Sequence, residues 1–114
     1  MDTAALQKLK LRTGGAQLEL EPLSESGNTI PIGVRLQAPA GLKIESFEVF
    51  APDNPVPQVI KITLGTPQTS YRLDTRIRLG ISQDIWVIAT LSDGSLLGDH
   101  APTVLTSSAC FDAS

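Results

Sequence analysis

The stretch TSYRLDTRIRL, residues 69–79, sets the reading of the fold. Tyr71, Leu73, Thr75, Ile77 and Leu79 occupy every second position, with Ser70, Arg72, Asp74, Arg76 and Arg78 between them. Successive side chains of an extended chain point to opposite faces, so this spacing buries one face and wets the other. The signature recurs upstream. QLELE (17–21) sets Leu18 and Leu20 on one side, TIPIGVRLQA (29–38) sets Ile30, Ile32, Val34 and Leu36, and QVIKITLG (58–65) sets Ile60, Ile62 and Leu64. KIESFEVFA (43–51) reads as a further strand. Pro31 has no N–H to donate to a ladder and so belongs at a strand start or on an edge. Downstream, DIWVIATL (84–91) is the most apolar run and reads as a central strand that takes Trp86 into the core. SDG (92–94) is a hairpin turn, and SLLGD (95–99) and PTVLTS (102–107) complete the set.

Between the runs lie the turn clusters ESGN, PAG, PDNPVP and TPQ. Eight prolines and nine glycines spread through 114 residues disfavour a helical bundle, because both break helix interiors. The length suits one domain with its own core. Seven or eight strands at short spacing imply an all-β fold, an immunoglobulin-like antiparallel β-sandwich. We place it over residues 17–107. Residues 1–16 precede it, and the spacing of Ala4, Leu6, Leu9 and Leu11 suggests a short helix there. Residues 108–114 follow as a C-terminal tail, and chain ends tend to be mobile. In the connector Asn54-Pro55-Val56-Pro57, the prolines restrict themselves and their predecessors, which suits a rigid loop that fixes strand entry.

Several kinds of function find no support in the residues. The chain holds 9 Lys and Arg against 12 Asp and Glu, a net charge of −3, with no basic patch for nucleic acid. No apolar run has membrane-spanning length, and the opening MDTAALQKLKLRTGGA lacks the apolar centre of a signal peptide. There is no Cys/His cluster for a metal, no glycine-rich phosphate loop and no nucleophile elbow. No cofactor is indicated. Asp53, Asp93 and Asp99 read as turn residues, and His100 as a solvated loop histidine. A conventional active site is not expected, so the chain does not read as an enzyme.

What remains is the tail TSSACFDAS (106–114) with the only cysteine, Cys110. A free cysteine is usually a small buried hydrophobe, but a terminal position favours an exposed thiol. An ordinary thiol of pKa ~8.5 is only about 3% thiolate at pH 7. Asp112 places negative charge near the sulfur and opposes ionisation further. Arg76 and Arg78 read either as the outward polar face of their strand or as a pair facing a partner or an anion.

GNTIPIGVRLQAP (27–39), FEVFAPDNPVPQVIKITL (47–64) and TRIRLGISQDIWVIATLSDGS (75–95), followed by VLTSSAC, together resemble the SoxY family of periplasmic sulfur carriers. Asn54-Pro55-Val56-Pro57 and Thr75 to Leu79 are the most specific parts of a resemblance that runs from about Leu18 to Cys110. It implies an immunoglobulin-like sandwich that pairs with a SoxZ subunit in the periplasm. It also implies that thiosulfate-derived sulfur is held covalently on Cys110 while separate sulfur-oxidation enzymes process it. The family arm reads Gly-Gly-Cys-Gly-Gly, whereas here Ser108, Ala109, Phe111 and Asp112 flank the cysteine. Glycine gives an arm wide conformational freedom and no bulk, so Phe111 would obstruct a narrow channel or dock in a partner's pocket. Some SoxY-like proteins associated with quinoprotein dehydrogenases also have an altered tail. Two other readings stand beside the carrier. One is a scaffold subunit that pairs with a SoxZ-like protein and carries nothing, and the other is a homodimer linked by a disulfide through Cys110.

Overall fold

The computed structural model describes residues 3–12, 14–21, 23–24 and 29–105. A short helix, α1 (Thr3–Gln7), is followed by nine strands. They are β1 (Leu11–Arg12), β2 (Ala16–Leu20), β3 (Leu23–Ser24), β4 (Ile30–Gln37), β5 (Ile44–Phe50), β6 (Gln58–Gln68), β7 (Ser70–Ile77), β8 (Gln83–Leu91) and β9 (Leu96–Leu105). One sheet has the order β1-β9-β8-β5-β6, with β3 also on β9, and the other has β2-β4-β7. The two pack face to face, as expected of an immunoglobulin-like sandwich, and seven of the nine strands are longer than two residues.

Alternation explains most of the core. Ile30, Ile32, Val34 and Leu36 of β4 face Phe47 and Val49 of β5 and Ile85, Val87, Ala89 and Leu91 of β8 within one buried cluster. Strand β5 interrupts the alternation, since Ile44 and Phe47 both reach this core three residues apart. A register shift between Ile44 and Ser46 against both neighbours absorbs the extra residue as a bulge. β8 lies between β9 and β5, as its apolar composition implied, and both its faces are covered. Trp86 and Ile88 point away from the main core and pack with Phe50 and Leu6. Leu6, fully buried, comes from α1, so the helix caps the outer face of the larger sheet.

The segment between Leu11 and Ser24 closes one side of the sandwich. It pairs in parallel with Leu96 and Leu97 through β1, crosses to the other sheet as β2, and returns to pair in parallel with Val104 and Leu105 through β3. The sandwich is therefore not wholly antiparallel. The first crossing needs Gly15: a Cβ there would lie 2.4 Å from the carbonyl oxygen of Gln37, whose N–H donates to Gly15 O at 2.7 Å. Opposite, β6 and β7 are the outer strands of different sheets, with only Thr69 between them. TPQ (66–68) is thus not a turn. The strand runs on to Gln68, and Pro67 is tolerated because β6 is an edge. Pro31 stands at a strand start, beyond the Ile32–Leu20 pair that ends the β2 ladder.

Residues 96–105 depart most from the local reading. Leu96–Asp99 of SLLGD and Pro102–Leu105 of PTVLTS belong to one strand, β9, which continues through His100, while residues 106 and 107 lie outside the described residues. Asp99 is no turn residue: its Oδ2 accepts the Leu18 N–H at 2.9 Å and so joins β9 to β2. His100 is exposed but is held in the sheet, its ring stacked on Trp86 at 4.3 Å between centroids and its Nδ1 3.6 Å from Asp84 Oδ2. Asp93 is the turn residue expected, accepting the Ser95 N–H at 2.9 Å.

Candidate functional site

Cys110 and its neighbours Ser108, Ala109, Phe111 and Asp112 lie outside the described residues. The last described strand leads to them. Its end is held on both sides: Leu105 N–H donates to Ser82 Oγ at 2.8 Å, and β3 pairs with Val104 and Leu105. Thr103, almost fully buried, donates its hydroxyl to Glu21 O at 3.0 Å. Cys110 is five residues beyond Leu105, so its Cα lies within about 18 Å of the end of β9 by chain length alone.

Ser82 belongs to the loop between β7 and β8, and Asn54 organises this end of the molecule. Its Oδ1 accepts from Gly80 N–H and from Gln83 Nε2, both at 3.0 Å, while its Nδ2 donates to Arg78 O at 3.0 Å. Gln83, 8% exposed, also donates to Ile81 O at 3.2 Å and accepts the Asp53 N–H at 2.9 Å. The Asn-Pro-x-Pro connector is thus rigid as its prolines suggest, but the amide of Asn54 ties it to the β7–β8 loop. Nothing in the sequence singles out Gln83 as the other half of this lock. A buried donor left without its acceptor costs about 1–3 kcal/mol. Asn54→Ala should therefore lower stability by roughly that amount, seen as a lower urea midpoint with an unchanged m-value. An unchanged midpoint would mean that the lock is not structural.

Arg76 and Arg78 extend from this end, both exposed, between the inward Thr75, Ile77 and Leu79. Neither has an ion-pair partner among the described residues. The other arginines of the smaller sheet differ. Arg35 lies 2.7 Å from Glu19 and 3.1 Å from Asp74, and Arg72 reaches Asp74 at 3.1 Å. Gly33, paired across the sheet with Glu19 and Asp74, makes room for this cluster: a Cβ there would approach both carboxylates to 3.1 Å and Arg35 to 3.3 Å. Hydrogen bonds from Arg35, then from Arg72, hold the Asp74 carboxyl below the ordinary aspartate range. A depressed folded-state pKa contributes stability above the unfolded value, and that contribution is lost as pH falls through the folded one. Thermal midpoints measured from pH 5 down to pH 2 should thus fall less steeply in Asp74→Asn than in wild type. The difference should be small and weaken with salt, since the pairs are exposed. Parallel curves would show that the cluster does not stabilise the fold.

A groove of about 750 Å³ separates the ends of β6 and β7 at this same corner. Pro55, Val56, Val59 and Ile60 line one wall, and Arg76 to Gly80 the other. Val56 is 70% exposed, the most exposed large apolar side chain among the described residues. No group of three or more His, Cys, Asp or Glu that could hold a metal ion occurs among the described residues.

The family model for sulfur oxidation protein SoxY matches residues 3–110, a span that ends on Cys110. The chain belongs to the SoxY family. It is accordingly a sulfur-oxidation protein, of a family of carriers, not catalysts, that work with partner proteins of that pathway. Among solved structures, the sulfur carrier protein SoxY from Chlorobium limicola f thiosulfatophilum superposes with a TM-score of 0.72 at 19% identity, over 90% of each chain. A superoxide reductase (neelaredoxin) from Ignicoccus hospitalis superposes with a TM-score of 0.57 at 13% identity, over 81% of this chain and 80% of that one. At such identities these likenesses concern the fold. No curated protein matches the chain.

Proposed function

We propose that this SoxY family member holds a thiosulfate-derived group covalently on Cys110 in the periplasm, paired with a SoxZ-like subunit. The observation that carries the reading is the family match, which extends to Cys110 itself. Joining the cysteine sulfur to the outer sulfur of thiosulfate forms a disulfide-type bond. The thiol proton and two electrons must leave, so a partner oxidoreductase has to accept the electrons. The anchored end of β9 supports the arrangement, because it offers a fixed root from which residues 106–114 can present the thiol. Arg76 and Arg78, cations without carboxylate partners among the described residues, precede in the chain Ser82, which holds that root, and suit contact with a partner.

The test is intact-mass spectrometry of the non-reduced protein from its own host, with peptide mapping of the C-terminal residues. A reducible addition on Cys110, of thiosulfate or persulfide composition, is expected. A bare thiol that stays bare with thiosulfate and the partner proteins would leave a scaffold subunit instead. A covalent dimer under non-reducing electrophoresis would point to a disulfide between copies.

A further inference from the structure

We infer that the groove between β6 and β7 is a protein-docking edge for an extended, acidic segment of a partner, which sets an apolar side chain against Val56 and carboxylates against Arg76 and Arg78. The inference rests on the pairing part of the reading above and adds where the partner sits and what chemistry it brings.

The two sides of the sandwich are built differently. On the β9 side, residues 11–24 cover the edge by pairing, crossing and pairing again. On the other side, among the described residues, β6 pairs only with β5 and β7 only with β4, so both strands present an outer edge to which no described strand adds. They meet at Thr69 and are separated by the groove at the opposite end. Free strand edges are where extended segments add. The floor offers half-buried Val59 and Ile60 and buried Ile77, and Val56 stands exposed at the mouth.

Charge selects the occupant. The chain is acidic overall, at −3, and the nearby arginines of the same sheet are neutralised by Glu19 and Asp74. Arg76 and Arg78, beside the groove, are not paired in this way. Asn54 accepts and donates around them and fixes the backbone of Arg78, so the edge is preorganised. An acidic segment would gain attraction there and be steered to the site. An occupied groove would also place the partner beside the root of the Cys110 segment, because Gly80 lines the groove and Ser82 holds Leu105.

The test measures binding of the SoxZ-like subunit from the same host by calorimetry, at low and high salt. Val56→Asp and the double variant Arg76→Glu/Arg78→Glu are compared with Lys43→Glu, an exposed charge reversal beside Ile44, whose partner Gln68 marks the Thr69 end. We expect at least tenfold weaker binding for both groove variants, loss of salt dependence in the double variant, and no change for Lys43→Glu. Amide exchange should slow at residues 75–80 in the wild-type complex. Tight binding unaffected by the groove variants would overturn the docking edge and leave the pairing reading standing. No binding by wild type would overturn both. Self-association of the chain that the groove variants abolish would make a second copy the occupant and overturn the partner assignment.

Discussion

Cys110→Ser is expected to abolish loading completely, with no adduct on the chain and sulfur-oxidation activity of the reconstituted system at background. Serine preserves size and polarity within one atom, so the change isolates the sulfur. An alkoxide is scarcely formed near neutral pH, and a hydroxyl oxygen does not form the disulfide-type bond to thiosulfate proposed above. The check is intact mass after incubation with thiosulfate and partner proteins, together with the thermal midpoint. The midpoint should be unchanged, because so small a change disturbs packing little wherever the side chain lies. Binding of the SoxZ-like subunit should also persist. Activity retained in this variant would remove Cys110 from the mechanism. Loss of partner binding would instead make residue 110 part of an interface.

Phe47→Ala carries the largest expected loss of stability. Phe47 is the largest fully buried side chain among the described residues and lies on β5, between β8 and β6. Its ring meets Tyr71 of β7 at 5.3 Å between centroids and so links the two sheets. Truncating a buried phenylalanine costs about 3–5 kcal/mol, from lost transfer energy and an unfilled cavity. Domains of this size have only about 5–15 kcal/mol in total. The thermal midpoint should fall by roughly 10–20 °C, or the variant should fail to accumulate folded. Val56→Ala, at a site 70% exposed, should stay within about 0.5 kcal/mol of wild type in the same melt. Equal shifts for the two would mean that the sheets do not pack through Phe47.

Local alternation was sufficient where one strand face is buried and the other wet. Residues 29–38 and 69–79 could be read directly, because each side chain's destination follows from its parity. Composition made β8 legible as a central strand: a run apolar on both faces needs cover on both. The cover on its outer face, Leu6 from α1, was legible only as a spacing that suits a helix. Parity failed in β5, where the bulge after Ile44 shifts the pattern. It also failed in residues 96–105, where a glycine, an aspartate, a histidine and a proline look like a turn. The chain stays extended there because Asp99 finds its partner in Leu18 and His100 in Trp86, residues distant in sequence.

The functional residues divide along the same line. By itself the sequence determined that the chain is an all-β sandwich of the SoxY type, that it has one cysteine and where that cysteine stands, and that Ser108, Ala109, Phe111 and Asp112 flank it. These are matters of residue identity and short-range order. Only the tertiary structure decided which edge is sealed and which is open. It also decided that Asn54 locks to Gln83, and that Arg76 and Arg78 have no ion-pair partner among the described residues while Arg35 and Arg72 do. The physical reason is that the deciding contacts join residues far apart in sequence, Asn54 with Gln83 (29 positions), Arg35 with Asp74 (39) and Leu18 with Asp99 (81), and no local pattern encodes those meetings.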